Sequence, residues 1–368
     1  MRILQIIPSL GSGGAEHLVV DLCNELTVQG DEVILCIIQN PFESDYGFYL
    51  LELSSNVRFI SLNQRKGFSF KNIVALQKII NEIKPDIVHI HLSILLYTYF
   101  LSIFNYKIRF YNTIHSLAEK TCSNLLFKTL NYICYSTGLI KVVTISEECK
   151  TSYQNFYKLE NAALIENGRK GNVPSAKYKQ VTDGINNFKQ QVDDVVFIHV
   201  GRFDVIKNQK LLIDVFNRLA IENVNYLLLI LGDWSFCDEA KELTKTANER
   251  IHFLGTKKNV SDYLFQSDAF CLTSNYEGMP ISLLEAFSCG CTPICTPVGG
   301  IKNMIHDGIT GFLSENVSES AYYDAVKRFL NNRSLIQKEN LVIHFEELYS
   351  IEHCALKHRQ LYQKYRIK

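Results

Sequence analysis

The chain has 368 residues, which is enough for two domains of ordinary size. Lysine plus arginine and aspartate plus glutamate each number 38, so the overall charge gives no reason to expect a nucleic-acid partner. The 11 cysteines form no Cys-x-x-Cys pair, which argues against zinc and dithiol redox motifs and favours reduced thiols in the cytoplasm.

The N-terminal half alternates predicted strands and helices, an order that implies a parallel sheet. Its start has no basic segment and no cleavage site, so we expect no signal peptide. The longest apolar stretch is too short to span a bilayer. The elements are strand Ile3 to Pro8, a loop from Gly11 to Gly14, helix Ala15 to Gln29, strand Val33 to Gln39, helix Ile73 to Ile83, and strands Asp86 to His91, Arg109 to His115 and Lys141 to Ile145.

The same pattern restarts after a polar segment. We therefore predict an N-terminal domain over 1–170, a linker over 171–194, a second domain over 195–350, and a C-terminal helix over 351–368 that packs back on the first domain. Both domains would be Rossmann-like α/β units with parallel sheets, facing across a cleft where ligands collect at the strand ends. The elements of the second domain are strands Val195 to Val200, Tyr226 to Leu231, Ile251 to Leu254, Ala269 to Leu272 and Thr292 to Thr296, with a helix over Gln209 to Leu219.

The most informative stretch reads Glu-Gly-Met-Pro-Ile-Ser-Leu-Leu-Glu, from Glu277 to Glu285. Pro280 suits the first position of a helix, so the N–H groups of Ile281 and Ser282 would be available to a phosphate. The two carboxylates would repel phosphate and are better acceptors for sugar hydroxyls. This favours a nucleotide-sugar, with its ribose at one glutamate and its hexose at the other. An amphipathic helix with incidental acids is the alternative.

Two cations follow the first strand of the second domain. Gly201 and Arg202 end that strand, and Lys207 lies five residues beyond the arginine. A guanidinium binds phosphate oxygens in a bidentate manner and an ammonium adds a point charge, so the pair could balance roughly two negative charges. Surface charges without a ligand are the alternative.

Two features of the first domain could also contact a ligand. A loop containing Gly13 and Gly14 follows the first strand and opens a helix, so its amides could approach a diphosphate. Glu16 stands where a dinucleotide-binding loop has its third glycine, which argues against NAD. His115 ends a predicted strand and is a candidate site residue. A simple turn and a structural histidine are the alternatives.

We expect no metal site. The sequence has no Asp-x-Asp, and His89 and His91 share one strand face without a third ligand at suitable spacing. A diphosphate would therefore be neutralised by side chains and helix ends, with no metal and no other cofactor.

Local charge is less even than the total. Between Ile87 and Ser146 the only acid is Glu119, whereas the same interval holds several lysines and arginines. This bias suggests, as a hypothesis, a face toward anionic lipid. Ordinary solvated surface is the alternative.

Taken together, these residues resemble glycosyltransferase family 4, a group of retaining enzymes with the GT-B fold. The resemblance covers nearly the whole chain. In two places the sequence departs from the family pattern: Trp234 stands where a glycine is common, and the domain junction ends in Arg169-Lys170. The remaining matching segments are Gly232-Asp233, Tyr276 before Glu277, Ala286 after Glu285, Pro297-Val298-Gly299-Gly300-Ile301, and Asp307-Gly308-Ile309-Thr310-Gly311-Phe312-Leu313.

The resemblance implies retaining transfer of a sugar from a nucleotide-diphosphate sugar to a glycan or lipid-linked oligosaccharide, as in bacterial capsule, O-antigen or exopolysaccharide synthesis. The enzyme would be cytoplasmic, with a peripheral contact on the inner face of the membrane as a hypothesis. The resemblance implies a catalytic set of His115, Arg202, Lys207 and Glu277, and a donor-binding set of Gly13, Gly14, Gly201, Gly278, Met279, Pro280, Ile281 and Glu285.

Other functions of the same fold stay open. A nucleotide-sugar epimerase would act on the donor alone, and a pyridoxal-dependent phosphorylase would need a further lysine for a Schiff base. A non-catalytic subunit that binds sugar nucleotides is a third alternative, against which the complete charged set argues.

Overall fold

Continuous apolar runs form the central strands, because both faces of these strands are covered by helices. Tyr226–Leu231 is buried at every position, for example. The computed structural model describes residues 1–65, 67–122, 124–234 and 238–364. The chain divides into unit 1, residues 1–170 with 349–368, and unit 2, residues 171–348.

Unit 1 contains a seven-stranded sheet with the strand order β3-β2-β1-β4-β5-β6-β7, in which all pairs are parallel. Right-handed connections place α1 on one face of this sheet and the helices that follow β3 on the other. The elements are β1 Arg2–Ile7, α1 Gly14–Val28, β2 Glu32–Gln39, β3 Arg58–Gln64, α2 Phe70–Ile83, β4 Ile87–His91, α3 Leu95–Phe104, β5 Arg109–Ile114, α4 Ala118–Thr121, α5 Leu125–Ser136, β6 Ile140–Thr144, α6 Glu147–Tyr157 and β7 Ala163–Leu164.

Unit 2 contains a six-stranded sheet with the order β10-β9-β8-β11-β12-β13, again with parallel pairs. Its elements are α7 Tyr178–Phe188, β8 Val195–Val200, α8 Gln209–Ile221, β9 Tyr226–Leu231, α9 Asp238–Lys245, β10 Ile251–Gly255, α10 Val260–Phe265, β11 Ala269–Leu272, α11 Ile281–Ser288, β12 Thr292–Cys295, α12 Ile301–Met304, β13 Phe312–Leu313, α13 Glu319–Asn331 and α14 Lys338–Leu348.

The last helix, α15 (Ile351–Lys364), returns to unit 1 and packs against α1. Arg169, one of the two departures from the family pattern, holds this return in place. Its side chain pairs with the buried carboxylate of Asp21, and its backbone bonds to Tyr349 and Ile351. Arg359 of α15 lies 2.8 Å from Asp31. The junction therefore fastens the C-terminal helix to the first unit.

Three local expectations differ from the structure. The segment 171–194, expected to be a linker, contains α7, whose Val181 and Ile185 are buried. Strand β3 was not expected, because its residues are only half-buried and do not form an apolar run. Pro280 is the N-cap of α11 with an extended backbone, and the helix begins one residue later than predicted. Within the described ranges, no helix combines the length and hydropathy that crossing a membrane requires.

Candidate active site

A loop that carries two of the candidate cations follows β8 in unit 2. It begins at Gly201, whose backbone lies directly against Gly232 at the end of β9. A Cβ on Gly232 would come within 2.1 Å of the Gly201 carbonyl oxygen, and Gly232 has φ +142°. Trp234, the second departure from the family pattern, is buried between Phe203 and Phe253. The path of the loop is therefore set by close backbone packing at these strand ends.

Gly232→Ala should displace this loop. The new methyl group would clash with the Gly201 carbonyl oxygen. In addition, an alanine at this positive φ is strained, which alone costs about 1–2 kcal/mol. We expect a lower thermal midpoint together with at least tenfold weaker binding of a nucleoside diphosphate, measured by calorimetry. Gly255→Ala is the matched control, since Gly255 also has a positive φ (+67°) but no neighbouring atom within 4 Å of an added Cβ. Equal effects of the two substitutions on binding would argue against the packing explanation.

The loop after β8 is joined by hydrogen bonds to the loop after β11. Thr273 Oγ1 donates to the carbonyl oxygens of Lys207 and Asn208, both at 3.1 Å. The Asn275 backbone N–H donates to the carbonyl oxygen of Ile206 at 2.7 Å, and its side chain donates to that of Val205 at 3.1 Å. Asn208 has φ +49°, a left-handed conformation that asparagine tolerates, and it ends the short turn before α8. These bonds fix Lys207 next to the loop that contains Glu277.

Lys207 and Glu277 form an ion pair in unit 2. The Lys207 Nζ lies 2.7 Å from Glu277 Oε1, and the Ser274 hydroxyl donates to the same oxygen at 2.6 Å. The Glu277 side chain is 11% exposed and that of Lys207 is 24% exposed. Within the described ranges, the second carboxylate oxygen of Glu277 forms no hydrogen bond, and neither do the remaining Nζ–H groups of Lys207. The pair therefore has an acceptor and donors left for a ligand.

Helix α11 begins directly after this pair. Its N-cap, Pro280, has no side chain that can cap the helix, and its first turn contains no acid. The first N–H groups of an α-helix have no intrahelical acceptor. The Leu283 N–H donates to the Pro280 carbonyl oxygen at 3.2 Å. The N–H groups of Ile281 and Ser282 precede it in the first turn. Gly300 N–H bonds to the Gly278 carbonyl oxygen at 3.0 Å and closes the loop before the helix. An uncapped helix end of this kind favours an anion.

The other predicted site residues of unit 2 differ in how far they are buried and in whether they contact the Lys207–Glu277 pair. Arg202 is 69% exposed and lies 3.8 Å from Asp204, so the structure does not hold its guanidinium against Lys207 or Glu277. Glu285 lies in the second turn of α11 and is half-buried. Met279 and Ile281 are buried beside the helix start. The structure thus brings Lys207 and Glu277 into contact and leaves Arg202 at the surface.

The sequence reasoning missed the polar support beneath the two loops. His199 of β8 is fully buried, with Nδ1 2.9 Å from the Cys271 carbonyl oxygen and Nε2 3.4 Å from Gln209 Nε2. Burial lowers the pKa of His199 to about 4, so the ring is neutral and donates through Nδ1. Gln209 Nε2 also donates to the Arg202 carbonyl oxygen at 2.8 Å. Thr273, Ser274 and Asn275 between β11 and Glu277 were the available signal, because such residues bond to nearby backbone.

In unit 1, the carboxylate of Glu16 lies beside the expected glycine loop. Gly13 is the N-cap of α1, and Glu16 lies in the first turn. A Cβ on Gly13 would come within 2.3 Å of Glu16 Oε2, so the carboxylate folds over the helix start. A negative group thus already occupies the position where Gly13 and Gly14 were expected to meet a diphosphate.

His115 follows β5 and belongs to a histidine network in unit 1. Its Nε2 lies 3.1 Å from His91 Nδ1, and His91 Nε2 lies 2.8 Å from the side-chain amide oxygen Oε1 of Gln5. Because that oxygen only accepts, His91 carries its proton on Nε2 and accepts from His115. Burial, together with the charge of His358, lowers the pKa of His115 to about 4. At neutral pH His115 is uncharged and its Nδ1 can accept a hydrogen bond.

This network should make the protein sensitive to acid. Burial lowers the pKa of His89, His91, His115 and His358. The unfolded chain therefore binds more protons, so their stabilising contribution is complete above about pH 6.5. It is lost as the pH falls below that value, toward about 4 for His115 and His358, at roughly 1.4 kcal/mol per pH unit for each histidine. We expect the thermal midpoint to fall across this window in calorimetric scans, and less steeply in His358→Leu. The exposed His353 on the same helix is the control, and an equally flattened profile in His353→Leu would contradict this account.

His115 also lines a cavity of about 530 Å³ in unit 1. Its walls combine apolar and polar side chains from α3, α5, α4 and the end of β5, with Leu95, Phe127 and Asn112 among them. Asn131 of α5 accepts from Tyr99 of α3 and donates to Tyr157 at 2.8 Å, which ties these helices together. A cavity of this size and composition is suited to a small organic ligand or one sugar unit.

Comparison with known proteins agrees with this architecture. The sequence pattern of Glycosyltransferase Family 4 matches residues 12–169, and that of Glycosyl transferases group 1 matches residues 183–342. An uncharacterized glycosyltransferase of Haemophilus influenzae is 24% identical over 89% of this chain and 90% of its own length.

Two further proteins extend the comparison. The GalNAc-alpha-(1->4)-GalNAc-alpha-(1->3)-diNAcBac-PP-undecaprenol alpha-1,4-N-acetyl-D-galactosaminyltransferase of Campylobacter jejuni is 26% identical over 91% of this chain and 90% of its own. The crystal structure of Anabaena HepE in complex with UDP superposes with a TM-score of 0.80, at 16% identity, over 99% of this chain and 100% of that one. The chain therefore belongs to glycosyltransferase family 4 and is a glycosyltransferase with the GT-B fold.

Proposed function

We propose that the enzyme transfers a sugar, with retention of its anomeric configuration, from a nucleotide-diphosphate sugar to a glycan or lipid-linked oligosaccharide in the synthesis of a bacterial polysaccharide. The observation that carries this proposal is the pair Lys207–Glu277 immediately before the uncapped start of α11. One cation, one carboxylate and a set of backbone donors match the phosphate and hydroxyl groups of such a donor. The UDP complex of HepE and the diphospho-undecaprenol acceptor in the name of the Campylobacter enzyme support the two substrate classes.

The main task of the site is to stabilise the leaving diphosphate. As the bond between the anomeric carbon and the phosphate oxygen breaks, negative charge grows on that oxygen. Lys207 Nζ keeps donors beyond its bond to Glu277, and the N–H groups at the start of α11 point outward from the helix end. Each such contact contributes about 2.7–4 kcal/mol by analogy with oxyanion donors. We propose that these groups act without a metal ion.

Retention is explained by attack on the face that the diphosphate leaves. The acceptor hydroxyl oxygen forms the new bond to the anomeric carbon, and its proton passes to a leaving phosphate oxygen. Glu277 offers its second carboxylate oxygen to a hydroxyl of the donor sugar, while Glu285 takes the ribose hydroxyls. No side chain is needed as a nucleophile in this scheme. The roles expected of Gly14, His115 and Arg202 stay predictions, as does a peripheral contact at the inner face of the cytoplasmic membrane.

A panel of UDP- and GDP-sugars tests the proposal. The purified protein should turn over one donor in the presence of a lipid-linked glycan, and NMR of the product should show the anomeric configuration of the donor. Epimerisation of a donor in the absence of any acceptor would establish the epimerase alternative instead. Binding of a donor without turnover under any acceptor would point to a non-catalytic subunit.

A further inference from the structure

A layer of polar side chains lies between the sheet of unit 1 and helix α15. Gln5 of β1 and His89 and His91 of β4 are fully buried there, as is Tyr362 of α15. Residues on the opposite face of the same two strands belong to the apolar core: Leu4, Ile6, Val88 and Ile90. Burying polar groups costs free energy unless they are hydrogen-bonded, so packing alone does not explain this polar layer.

Hydrogen bonds join the layer to His115, which follows β5. His115 Nε2 lies 3.1 Å from His91 Nδ1, and His91 Nε2 lies 2.8 Å from Gln5 Oε1. On the other side of the same amide, Gln5 Nε2 lies 3.5 Å from the Tyr362 hydroxyl, which lies 2.5 Å from His89 Nδ1. We call this series of contacts the Tyr362–His115 path. It connects the C-terminal helix to a predicted site residue.

Each contact on the path needs one donor and one acceptor. Burial lowers the pKa of His89 and of His91, so each ring carries a single proton at neutral pH. Gln5 Nε2 can only donate, so the Tyr362 hydroxyl accepts from it and donates to His89 Nδ1. His89 Nε2 then donates to Thr113 Oγ1, 2.7 Å away. Every group on this side of the amide is thereby satisfied.

The orientation of the Gln5 amide decides which nitrogen of His115 carries the proton. With Oε1 toward His91, His91 Nδ1 accepts from His115 Nε2, and His115 Nδ1 has a lone pair. An amide turned the other way would move each of these protons to the other nitrogen, and His115 Nδ1 would become a donor. Within the described ranges, Tyr362 is the only group bonded to Gln5 Nε2. Turning the amide therefore requires the Tyr362 and His89 protons to move with it.

We propose that Gln5 and Tyr362 are positioning residues, which hold His115 with its proton on Nε2 and its Nδ1 ready to accept a hydrogen bond. Helix α15 thus contributes to the site without a side chain that touches a substrate. The inference rests on the proposed function for one point only, namely that His115 accepts from a hydroxyl of a substrate sugar. The tautomer itself is a property of unit 1 alone.

Nitrogen NMR of the full-length protein, labelled with ¹⁵N in its histidine rings, tests the inference without any substrate. Ring shifts distinguish protonated from unprotonated nitrogens, and the signals lost in His115→Gln assign them. We expect the wild type to carry the His115 proton on Nε2 at neutral pH and Tyr362→Phe to show both tautomers. Gln5→Leu should move the proton to Nδ1, because a buried N–H without an acceptor is less tolerated than a bare acceptor. Tyr111→Phe is the matched control, since the Tyr111 hydroxyl also bonds to α15, at 3.3 Å from the Leu361 carbonyl oxygen, but is not on the path.

Kinetics show whether the tautomer matters for transfer. Tyr362→Phe should raise the KM for the substrate that His115 binds by about two- to tenfold, because one hydrogen bond is weakened, and should leave binding of the nucleoside diphosphate unchanged. A KM equal to that of Tyr111→Phe, in a variant whose tautomer has changed, would contradict the positioning role.

The inference would also be overturned if wild-type His115 carried its proton on Nδ1, an outcome that no failure of a variant to fold can obscure. Identical His115 shifts in the wild type and in whichever of Tyr362→Phe and Gln5→Leu folds would overturn it as well. The spectra require no turnover. A protein that shows the expected tautomers but transfers no sugar would therefore count against the proposed function and not against the Tyr362–His115 path.

Discussion

Lys207→Met should lower the rate of sugar transfer by a factor of about 10²–10³, because one donor to the leaving diphosphate is removed. Methionine keeps most of the side-chain length while the charge is lost. Binding of the nucleoside diphosphate should weaken in parallel, since the lost contact is made to the phosphates. The measurement is kcat and KM with the donor that the panel identifies, together with calorimetric binding of the matching nucleoside diphosphate.

Lys210→Met is the matched control for this prediction. Lys210 lies in the first turn of α8, three residues further on; its side chain is 72% exposed and pairs with Asp214 at 2.5 Å. Exposed pairs of this kind contribute about 0–1 kcal/mol, so we expect transfer to change less than twofold. If Lys207→Met were as active as Lys210→Met, Lys207 would have no part in stabilising the leaving group.

Glu277→Gln should separate binding of the sugar from binding of the phosphates. The change removes a negative charge 2.7 Å from Lys207, so the nucleoside diphosphate should bind as well as before or more tightly. Transfer should fall by about 10² or more, because the amide is a poorer acceptor for the donor-sugar hydroxyl in the transition state. Calorimetry should compare how tightly the variant binds the nucleoside diphosphate and the intact sugar nucleotide. We expect only the affinity for the sugar nucleotide to fall.

The variant also needs a check on folding. Removing one partner of a partly buried pair costs about 1–3 kcal/mol, so a modest drop in thermal midpoint is expected. In the double variant Lys207→Met with Glu277→Gln, the loss of midpoint should be smaller than the sum of the single losses, while transfer stays low. Glu315→Gln, at an exposed position of unit 2, is the control for the loss of a carboxylate. Loss of nucleoside diphosphate binding in Glu277→Gln would contradict the assignment of Glu277 to the sugar.

Much of the fold could be predicted from the sequence because its central strands are continuous apolar runs. Tyr226–Leu231 was predicted with its observed bounds, and both parallel sheets follow from the alternation of strands and helices. Elements at the edges gave weaker signals. Strand β3 mixes polar and half-buried residues, and α7 buries only Val181 and Ile185 within a polar segment. Edge elements bury little surface, so their sequences are weakly constrained.

The site was harder to predict than the fold, since its geometry depends on contacts between residues distant in sequence. The run from Glu277 to Glu285 indicates a loop and a helix start from local spacing alone. The ion pair with Lys207 spans 70 positions and is set by hydrogen bonds from Thr273 and Asn275 that no local pattern specifies. For Arg202 the local sequence was misleading in the opposite way. Its position after β8 predicted a phosphate contact, whereas its side chain is mostly exposed.

The central claim is that Lys207 in unit 2 binds the diphosphate of the donor. Calorimetric titration with the nucleoside diphosphate and the monophosphate of the donor base, for the wild type and for Lys207→Met, tests it most directly. We predict that the diphosphate binds the wild type at least tenfold more tightly than the monophosphate, and that this advantage largely disappears in Lys207→Met. An undiminished advantage in the variant would show that the terminal phosphate is held elsewhere.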